Sequence, residues 1–379
     1  MPAQIEFFSV GNGDMTLIEL DSGKKILIDV NVRSAADDPN DSTPDVISQL
    51  KKRLDKDEDG RHYVDAFLLS HPDKDHCTGL EKHFHLGTPE EHQEGKIFVR
   101  ELWSSPLVFR RASTNHTLCA DAKAFNSEAK RRVAEYRDHG KSVGDGDRIL
   151  ILGHDENGKT QDISEIVVEV NNAFDNVNGA SDDSMSARLL GPFSKSDDDI
   201  EEETLTKNNS SVIIQFSLKV AGQDNACKFL TGGDAEVDIW ERLWNRHKDK
   251  NADWLEYDLM QAPHHCSWHS LSHDSWSKKK GNAKVSEDAR SALSQTRSGA
   301  IIIASSKEIK DDDNDPPCIR AKREYEDILK KCQGNFECTA DSNEPLKFSL
   351  HTEGPKIERY IAPALVGTGA IGRNAVPHG

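Results

Sequence analysis

The first 30 residues alternate between short apolar segments and polar turns. Apolar side chains dominate residues 4–10, 15–20 and 25–30, and turns that contain glycine separate these three segments. Short segments with period-two alternation, bounded by Gly, Asn and Asp, are typical of β-strands joined by tight turns. The pattern therefore predicts a β-meander of three antiparallel strands at the start of the chain.

The period of the pattern changes after this meander. Residues 44–56 carry apolar side chains at the intervals of one helix face, namely Val46, Ile47, Leu50 and Leu54. The continuous apolar run at 66–69 then predicts a buried fourth strand over 63–70. Further on, a strand is predicted at 97–103 and a helix at 123–139. That helix has a basic side, which is either a solvated face or one wall of a groove for a polyanion.

The second half of the chain repeats this order without a detectable sequence repeat. Strands are predicted at 210–220, 226–230, 258–262 and 301–306, with helices at 237–246 and 319–331. Segments at 348–351 and 359–361 are predicted to close the edge of a sheet. Each half therefore has antiparallel strands first and strands alternating with helices afterwards.

Metal-binding side chains follow the predicted fourth strand. This segment reads His71-Pro72-Asp73-Lys74-Asp75-His76, and we call residues 71–76 the ligand loop. Imidazoles and carboxylates bind divalent metals, whereas Lys74 does not. A tight loop lets alternate residues face one point, so His71 and Asp73 are predicted to bind one ion. Asp75 and His76 are predicted to bind a second ion beside it. A solvated polar turn would not need its metal-binding side chains at this spacing.

Three other predicted strands end in side chains of the same kinds. Asp29 ends the third strand, and Asp234 and the pair His264-His265 follow two later strands. Strand ends on one rim of a sheet converge, so these residues can meet the ligand loop, and Asp234 is predicted to bridge two ions. Of the two histidines, His264 is favoured as the ligand, and His265 as an acid or a group that orients the ligands.

Composition and charge narrow the classes of function. The 379 residues suffice for one large domain or two ordinary ones. The net charge of −18 argues against broad, non-specific nucleic-acid binding, although it is compatible with a local basic groove. The sequence shows no signal peptide and no membrane span of ~20 apolar residues. Seven scattered cysteines favour a reducing compartment, so a cytoplasmic protein is expected.

The ligand loop resembles the HxHxDH signature of the metallo-β-lactamase fold, with Asp73 in place of the second histidine. This variant is similar to the metallo-hydrolase domain of the DNA-uptake protein ComEC and its stand-alone relatives. Further blocks resemble motifs of that group in the same order. They are Val10-Gly11-Asn12-Gly13-Asp14, Ile28-Asp29, Leu189-Leu190-Gly191-Pro192, Asn208-Asn209-Ser210-Ser211-Val212, Leu230-Thr231-Gly232-Gly233-Asp234 and Pro263-His264-His265-Cys266-Ser267.

The resemblance implies an α/β protein, a four-layer αββα sandwich with metals at one rim. A single domain over 1–379 is expected, with insertions at about 104–180 and 194–207 and a C-terminal extension after about 307. The implied activity is metal-dependent hydrolysis of a phosphodiester, as in a nuclease acting on DNA or RNA. One or two ions are expected, Mn²⁺ or Zn²⁺, and the extra carboxylate also makes the site compatible with Mg²⁺.

The resemblance also suggests roles for single residues. Asp75 is expected to orient a metal-activated water, and His265 to protonate the leaving oxygen. Asp29 is expected to support the ligand loop. Residues expected to contact substrate or to orient the ligands are Lys74, Asn209 and Ser267. Candidates for a further histidine that the wider fold places between the ligand loop and the bridging Asp are His116, His139 and His154.

Two other functions remain open at this point. The same ligands would serve an enzyme that cleaves a small substrate, such as a cyclic nucleotide, a phosphocholine ester or a lactone. A degenerate, non-catalytic partner in a multi-protein nucleic-acid or phage-defence system is the second alternative. The acidic surface also suggests a protein partner from the same system, and the sequence leaves the oligomeric state open.

Overall fold

The computed structural model describes residues 3–38, 40–106, 117–155, 158–194 and 207–358, and these residues form a mixed α/β structure. Its strands are β1 (Gln4–Phe7), β2 (Thr16–Glu19), β3 (Lys25–Ile28), β4 (Tyr63–Leu68), β5 (Phe98–Ser104), β6 (Arg148–Leu152), β7 (Val167–Val168), β8 (Ala173–Phe174), β9 (Asn176–Val177), β10 (Ala180–Ser181), β11 (Met185–Gly191), β12 (Ile213–Val220), β13 (Gln223–Leu230), β14 (Tyr257–Gln261), β15 (Thr296–Ala304), β16 (Asn335–Cys338), β17 (Leu346–His351) and β18 (Gly354–Glu358). Its α-helices are Val46–Lys51, Lys74–Cys77, Leu80–His83, Ala120–His139, Val237–His247, Pro263–Cys266, Trp276–Lys279, Glu287–Leu293 and Ile319–Lys330.

Two large sheets dominate the described residues, and β9 and β10 form a separate hairpin. The larger sheet has the order β18-β17-β1-β2-β3-β4-β5-β6-β7, and the smaller has the order β16-β15-β14-β13-β12-β11-β8. In the larger sheet β1, β2 and β3 are antiparallel, and β3 to β7 run parallel. The predicted β-meander is therefore confirmed.

The smaller sheet has the same arrangement. Strands β11, β12 and β13 are antiparallel neighbours, and β13, β14, β15 and β16 run parallel. Strands β3 and β13 thus occupy equivalent places in the two sheets, and so do β4 and β14. The repeated order that the sequence predicts is present, and the candidate ligands follow these four strands.

Apolar residues form three cores. The first lies between the sheets and includes Ile26 of β3 and Ile214 of β12. In the second, Leu27 of β3 packs with residues of the helices Val46–Lys51 and Ala120–His139. The third joins the smaller sheet to the helices Val237–His247, Glu287–Leu293 and Ile319–Lys330. Neighbouring residues of one strand thus enter different cores, because successive strand side chains point to opposite faces.

Several elements differ from their predicted bounds. The helix predicted over 44–56 spans only Val46–Lys51, because the chain turns where Arg53 N donates to Leu50 O and its guanidinium binds Gln49 O. The helix Glu287–Leu293 and the strand β16 were missed. Parts of the predicted insertions and of the predicted extension form regular secondary structure. Residues 120–168 contain a helix, β6 and β7, and residues 335–358 contain β16, β17 and β18.

Some predictions concern residues outside the described part of the chain. They are most of the insertion predicted at about 194–207, His116 and the edge segment 359–361. Within the described ranges, no helix is both long and apolar enough to cross a membrane. All seven cysteines are free thiols.

The basic side of the helix Ala120–His139 does not form a wall for a polyanion. Arg131 pairs with Glu128 and Asp147, and Arg137 pairs with Asp162. Arg132 is 1% exposed, and it binds Glu128 and backbone carbonyls of the larger sheet. These arginines attach the helix to its neighbours, so neither a groove wall nor a fully solvated face describes them.

Candidate metal centre

The candidate ligands meet where several strands end. The ligand loop follows β4, Asp234 follows β13, and the turn Pro263–Cys266 follows β14. Backbone hydrogen bonds join these segments to their neighbours: Asp14 N donates to Asp75 O at 3.2 Å, and Val30 N to His76 O at 2.9 Å. The ligand loop is therefore held by the turn after β1 and by the chain after β3.

Gly13 is required by this close approach. A Cβ atom at Gly13 would lie 2.0 Å from Asn31 Nδ2 and 2.6 Å from the carbonyl oxygen of Asp75. Any side chain here would push the turn away from the ligand loop. The glycine thus permits the adjacent Asp14 to enter the site.

The carboxylate of Asp234 lies at the centre of four imidazoles. The Nε2 atoms of His76 and His265 lie 3.1 and 3.4 Å from Asp234 Oδ1. The Nε2 atoms of His71 and His264 lie 3.4 and 3.7 Å from Asp234 Oδ2. Each carboxylate oxygen thus faces two imidazoles, which is the arrangement expected of a group that bridges two ions.

The side of Asp234 Oδ1 has the denser set of ligands, which we call the Oδ1 group: Asp14, Asp75, His76, His265 and Asp234. Ligand atoms of Asp14, His76, His265 and Asp234 all lie within 4.8 Å of one another, and these four residues are buried. Asp75 Oδ2 lies 3.3 Å from His265 Nε2. Asp14 was not predicted to be a ligand, although its position at the end of a glycine turn was a usable signal.

The side of Asp234 Oδ2 is more open, and we call its residues the Oδ2 group: His71, Asp73, His264 and Asp234. Asp73 Oδ2 lies 4.0 Å from His71 Nε2, and the Asp73 side chain is 47% exposed. His264 Nδ1 lies 3.6 Å from Glu236 Oε1. The structure therefore places His264 and His265 on opposite sides of one carboxylate.

Hydrogen bonds at Nδ1 orient three of these imidazoles. His76 Nδ1 lies 2.8 Å from Asp29 Oδ2, and His265 Nδ1 lies 3.1 Å from Ser305 O. His71 Nδ1 contacts the hydroxyl of Ser70 at 3.2 Å. With Nδ1 engaged in this way, Nε2 is directed at Asp234, as is usual for metal-bound histidines. Asp29 also accepts from the backbone N–H and hydroxyl of Ser70, so it supports both ends of the ligand loop.

The unpaired atoms of the site fit a metal ion. Among the described residues, His71 Nε2 and His265 Nε2 are buried and have no hydrogen-bond partner. A buried polar atom without a partner costs free energy, and functional sites are where such atoms occur. Ligand atoms bonded to one ion at ~2.0–2.2 Å lie roughly 3 to 3.5 Å apart, and the Nε2 atoms of His71, His76 and His265 lie at this spacing from Asp234. Imidazole and carboxylate donors together suit Zn²⁺ and Mn²⁺.

The backbone at the site is strained. Asp29 has a φ of 57°, and the consecutive residues His264, His265 and Cys266 have φ values of 49°, 52° and 67°. Left-handed backbone costs a non-glycine residue about 1–2 kcal/mol, and such residues cluster at functional sites. This turn is what directs two adjacent histidines to the two oxygens of Asp234.

The carboxylates of the site stabilise positive charge beside them. Burial opposes the charged form of His265, but the carboxylates of Asp234 and Asp14 outweigh burial and raise its pKa to about 10. The same competition, with Asp234 and Asp29 as charged partners, raises the pKa of His76 well above its usual range. Without a metal, protons on these imidazoles balance the carboxylates, and a divalent cation can replace them.

The metal-free protein is expected to lose stability as the pH rises from about 6.5 to 10. Because His265 has a pKa of about 10 when folded and ~6.5 when unfolded, its stabilising contribution is complete below pH 6.5. The contribution disappears by pH 10, and for a buried group it is on the order of a few kcal/mol. Melting curves in EDTA should therefore show a falling Tm across this range. Protein saturated with Mn²⁺ or Zn²⁺ should show a flatter profile, and parallel profiles would contradict the assignment.

The remaining predicted residues lie around this centre. Asn209 Oδ1 accepts from the backbone N–H of Glu236, and Ser267 Oγ donates to Asp315. Lys74 is exposed and lines a cleft beside Asp75. His139 lies 3.6 Å from Glu135 on its own helix, and neither it nor His154 belongs to the Oδ1 or Oδ2 group.

The structure is similar to the unliganded crystal structure of yeast PDE1, with a TM-score of 0.36 and 12% sequence identity. The match covers 89% of this chain and 97% of the yeast chain. No protein-family model matches the sequence, and no curated protein matches it either.

Proposed function

We propose that this chain is a metal-dependent phosphodiester hydrolase, a nuclease acting on DNA or RNA, built on the αββα sandwich of the metallo-β-lactamase fold. The observation that carries the proposal is the carboxylate of Asp234 between two pairs of imidazole Nε2 atoms. The matching strand order of the two sheets supports the proposed fold. The ComEC-like motifs support the proposed chemistry.

The Oδ1 group and the Oδ2 group would each hold one ion, Mn²⁺ or Zn²⁺, with Asp234 shared between them. Ions bound there supply Lewis acidity and lower the pKa of bound water toward neutrality. In this proposal His265 is a ligand, as is His264. That assignment replaces the sequence-based choice of one histidine as ligand and the other as acid, because both imidazoles face Asp234.

The chain's own residues position water and substrate. The Asp75 side chain is 40% exposed, so it can accept hydrogen bonds from a water molecule on the side of the open cleft. Burial raises the pKa of Asp75, but the contact with the His265 imidazole and the charge of His76 outweigh burial and lower this pKa to about 2. Asp75 is therefore an acceptor at any physiological pH. Lys74 adds a positive charge at the mouth of the site, where a phosphate would lie.

The proposal is tested by assaying purified protein in EDTA and with Mn²⁺, Zn²⁺ or Mg²⁺. The substrates are linear DNA, circular DNA, single-stranded RNA and bis(p-nitrophenyl) phosphate. Cyclic nucleotides, a phosphocholine ester and a lactone are assayed as alternative substrates. We expect cleavage of a nucleic acid that requires metal and stops in EDTA. Turnover of only a cyclic nucleotide, a phosphocholine ester or a lactone would replace the nuclease assignment, and metal-loaded protein without any hydrolysis would contradict catalysis altogether.

A further inference from the structure

A cleft of about 1000 Å³ opens beside the metal centre. Asp75 lies in its lining, so the cleft begins at the ligand loop. Its volume is at the upper end of the ~300–1,000 Å³ typical of ligand pockets, which is more than a single phosphate group needs. The charged side chains in its lining are Arg33, Lys74, Lys82, Lys307, Asp75, Glu81 and Asp121.

The cleft reverses the charge of the protein locally. The chain carries a net charge of −18, yet four cationic side chains line this one cleft. Two of its three acids are engaged: Asp75 faces His265, and Asp121 accepts the backbone N–H groups of Gly79 and Glu81 at 3.2 and 2.8 Å. The third acid in the lining is Glu81. Cationic side chains thus outnumber acidic side chains in the lining by four to three, which favours an anionic ligand.

The turn of residues 11–13 contacts two of these cationic residues. Arg33 lies over Gly11, since a Cβ atom there would be 3.6 Å from Arg33 Nη1. The backbone N–H of Lys307 donates to Asn12 Oδ1 of the same turn at 2.9 Å. Asn12 Nδ2 in turn donates to Pro316 O. Among the described residues, no ion pair links Arg33, Lys74 or Lys307 to an acidic side chain.

We infer that this cleft binds the sugar–phosphate backbone of a nucleic-acid strand on one side of the scissile phosphate, with Arg33 and Lys307 as phosphate contacts. The inference rests on the proposed function and names a binding site for its substrate. No Phe, Tyr or Trp side chain is found in the lining, as far as the chain is described. Since bases stack on aromatic rings and phosphates pair with Lys and Arg, recognition here is of the backbone and not by base stacking.

The test is a binding measurement that does not depend on catalysis. A fluorescein-labelled 12-residue oligothymidylate is titrated with the full chain in EDTA, and anisotropy is followed from 50 to 300 mM salt. Each cation that neutralises a phosphate of a single strand adds ~0.7 to the magnitude of the slope of log affinity against log salt concentration. The slope of a variant with both Arg33→Ala and Lys307→Ala should therefore be smaller in magnitude by about 1.4. At 150 mM salt that loss corresponds to an affinity about tenfold weaker.

A matched control changes two exposed lysines outside the cleft, Lys250→Ala and Lys331→Ala. This control has the same change in net charge and should keep the wild-type slope and affinity. Equal weakening by both double variants would show a diffuse charge effect, and unchanged binding by the cleft variant would place the strand elsewhere. Either result, or wild-type protein that does not bind the oligonucleotide, overturns the inference. The metal-dependent assay with bis(p-nitrophenyl) phosphate still reports on the proposed function in each case.

Discussion

The Asp234→Asn variant of the proposed hydrolase is expected to lose its bound metal. Its rate of phosphodiester hydrolysis should fall by a factor on the order of 10³ or more. In the folded protein each oxygen of Asp234 faces two imidazole Nε2 atoms. An asparagine keeps the shape but removes the charge, and its amide N–H groups would point at one of the two pairs. Neither group of ligands then keeps a shared anionic oxygen, so the proposed site should lose both of its ions together.

Metal content per chain and kcat on bis(p-nitrophenyl) phosphate measure this outcome. The fold should survive, because Asp234 is held in its turn by its own backbone N–H, which donates to Ser211 Oγ at 3.0 Å. Asp249→Asn is the matched control, because Asp249 is exposed and lies outside the proposed site. Two ions per chain in Asp234→Asn, or activity within tenfold of wild type, would contradict the bridging role.

Much of this architecture could be predicted from local patterns. Period-two alternation located the meander, and the apolar run before His71 located β4, because both signals come from side-chain burial along a strand. The position of Asp234 directly after a strand was enough to suggest a bridging residue. Strand ends on one rim converge whatever the intervening sequence is, so ligands distant in sequence could be grouped.

Other features depend on contacts that a local pattern does not contain. The left-handed backbone at His264 and His265 sends the two rings to opposite sides of Asp234, and alternation along a chain does not predict that conformation. Asp14 enters the Oδ1 group only because Gly13 lets two turns touch. Arg132 looked like part of a basic surface, yet it is buried because Glu128 and three backbone carbonyls satisfy its guanidinium.

The pair Asp75→Ala and Asp73→Ala should separate the roles of two carboxylates in one loop. Both side chains are partly exposed, at 40% and 47%, so neither variant should change the Tm by more than a few degrees. Asp75 contacts His265 Nε2 at 3.3 Å and belongs to the Oδ1 group, whereas Asp73 lies 4.0 Å from His71 on the more open side.

We expect Asp75→Ala to reduce kcat by a factor on the order of 10² to 10³, because it removes both a ligand and the acceptor that orients water. Asp73→Ala should weaken metal binding by roughly tenfold, within the range seen when a supporting group is lost, and excess Mn²⁺ should restore most of its activity. Metal titrations of both variants on bis(p-nitrophenyl) phosphate distinguish the two effects, since added metal replaces a lost ion but not a lost water acceptor. A well-folded Asp75→Ala protein with wild-type kcat would remove Asp75 from the chemistry. An Asp73→Ala protein that excess metal does not rescue would show instead that the two carboxylates act as a unit.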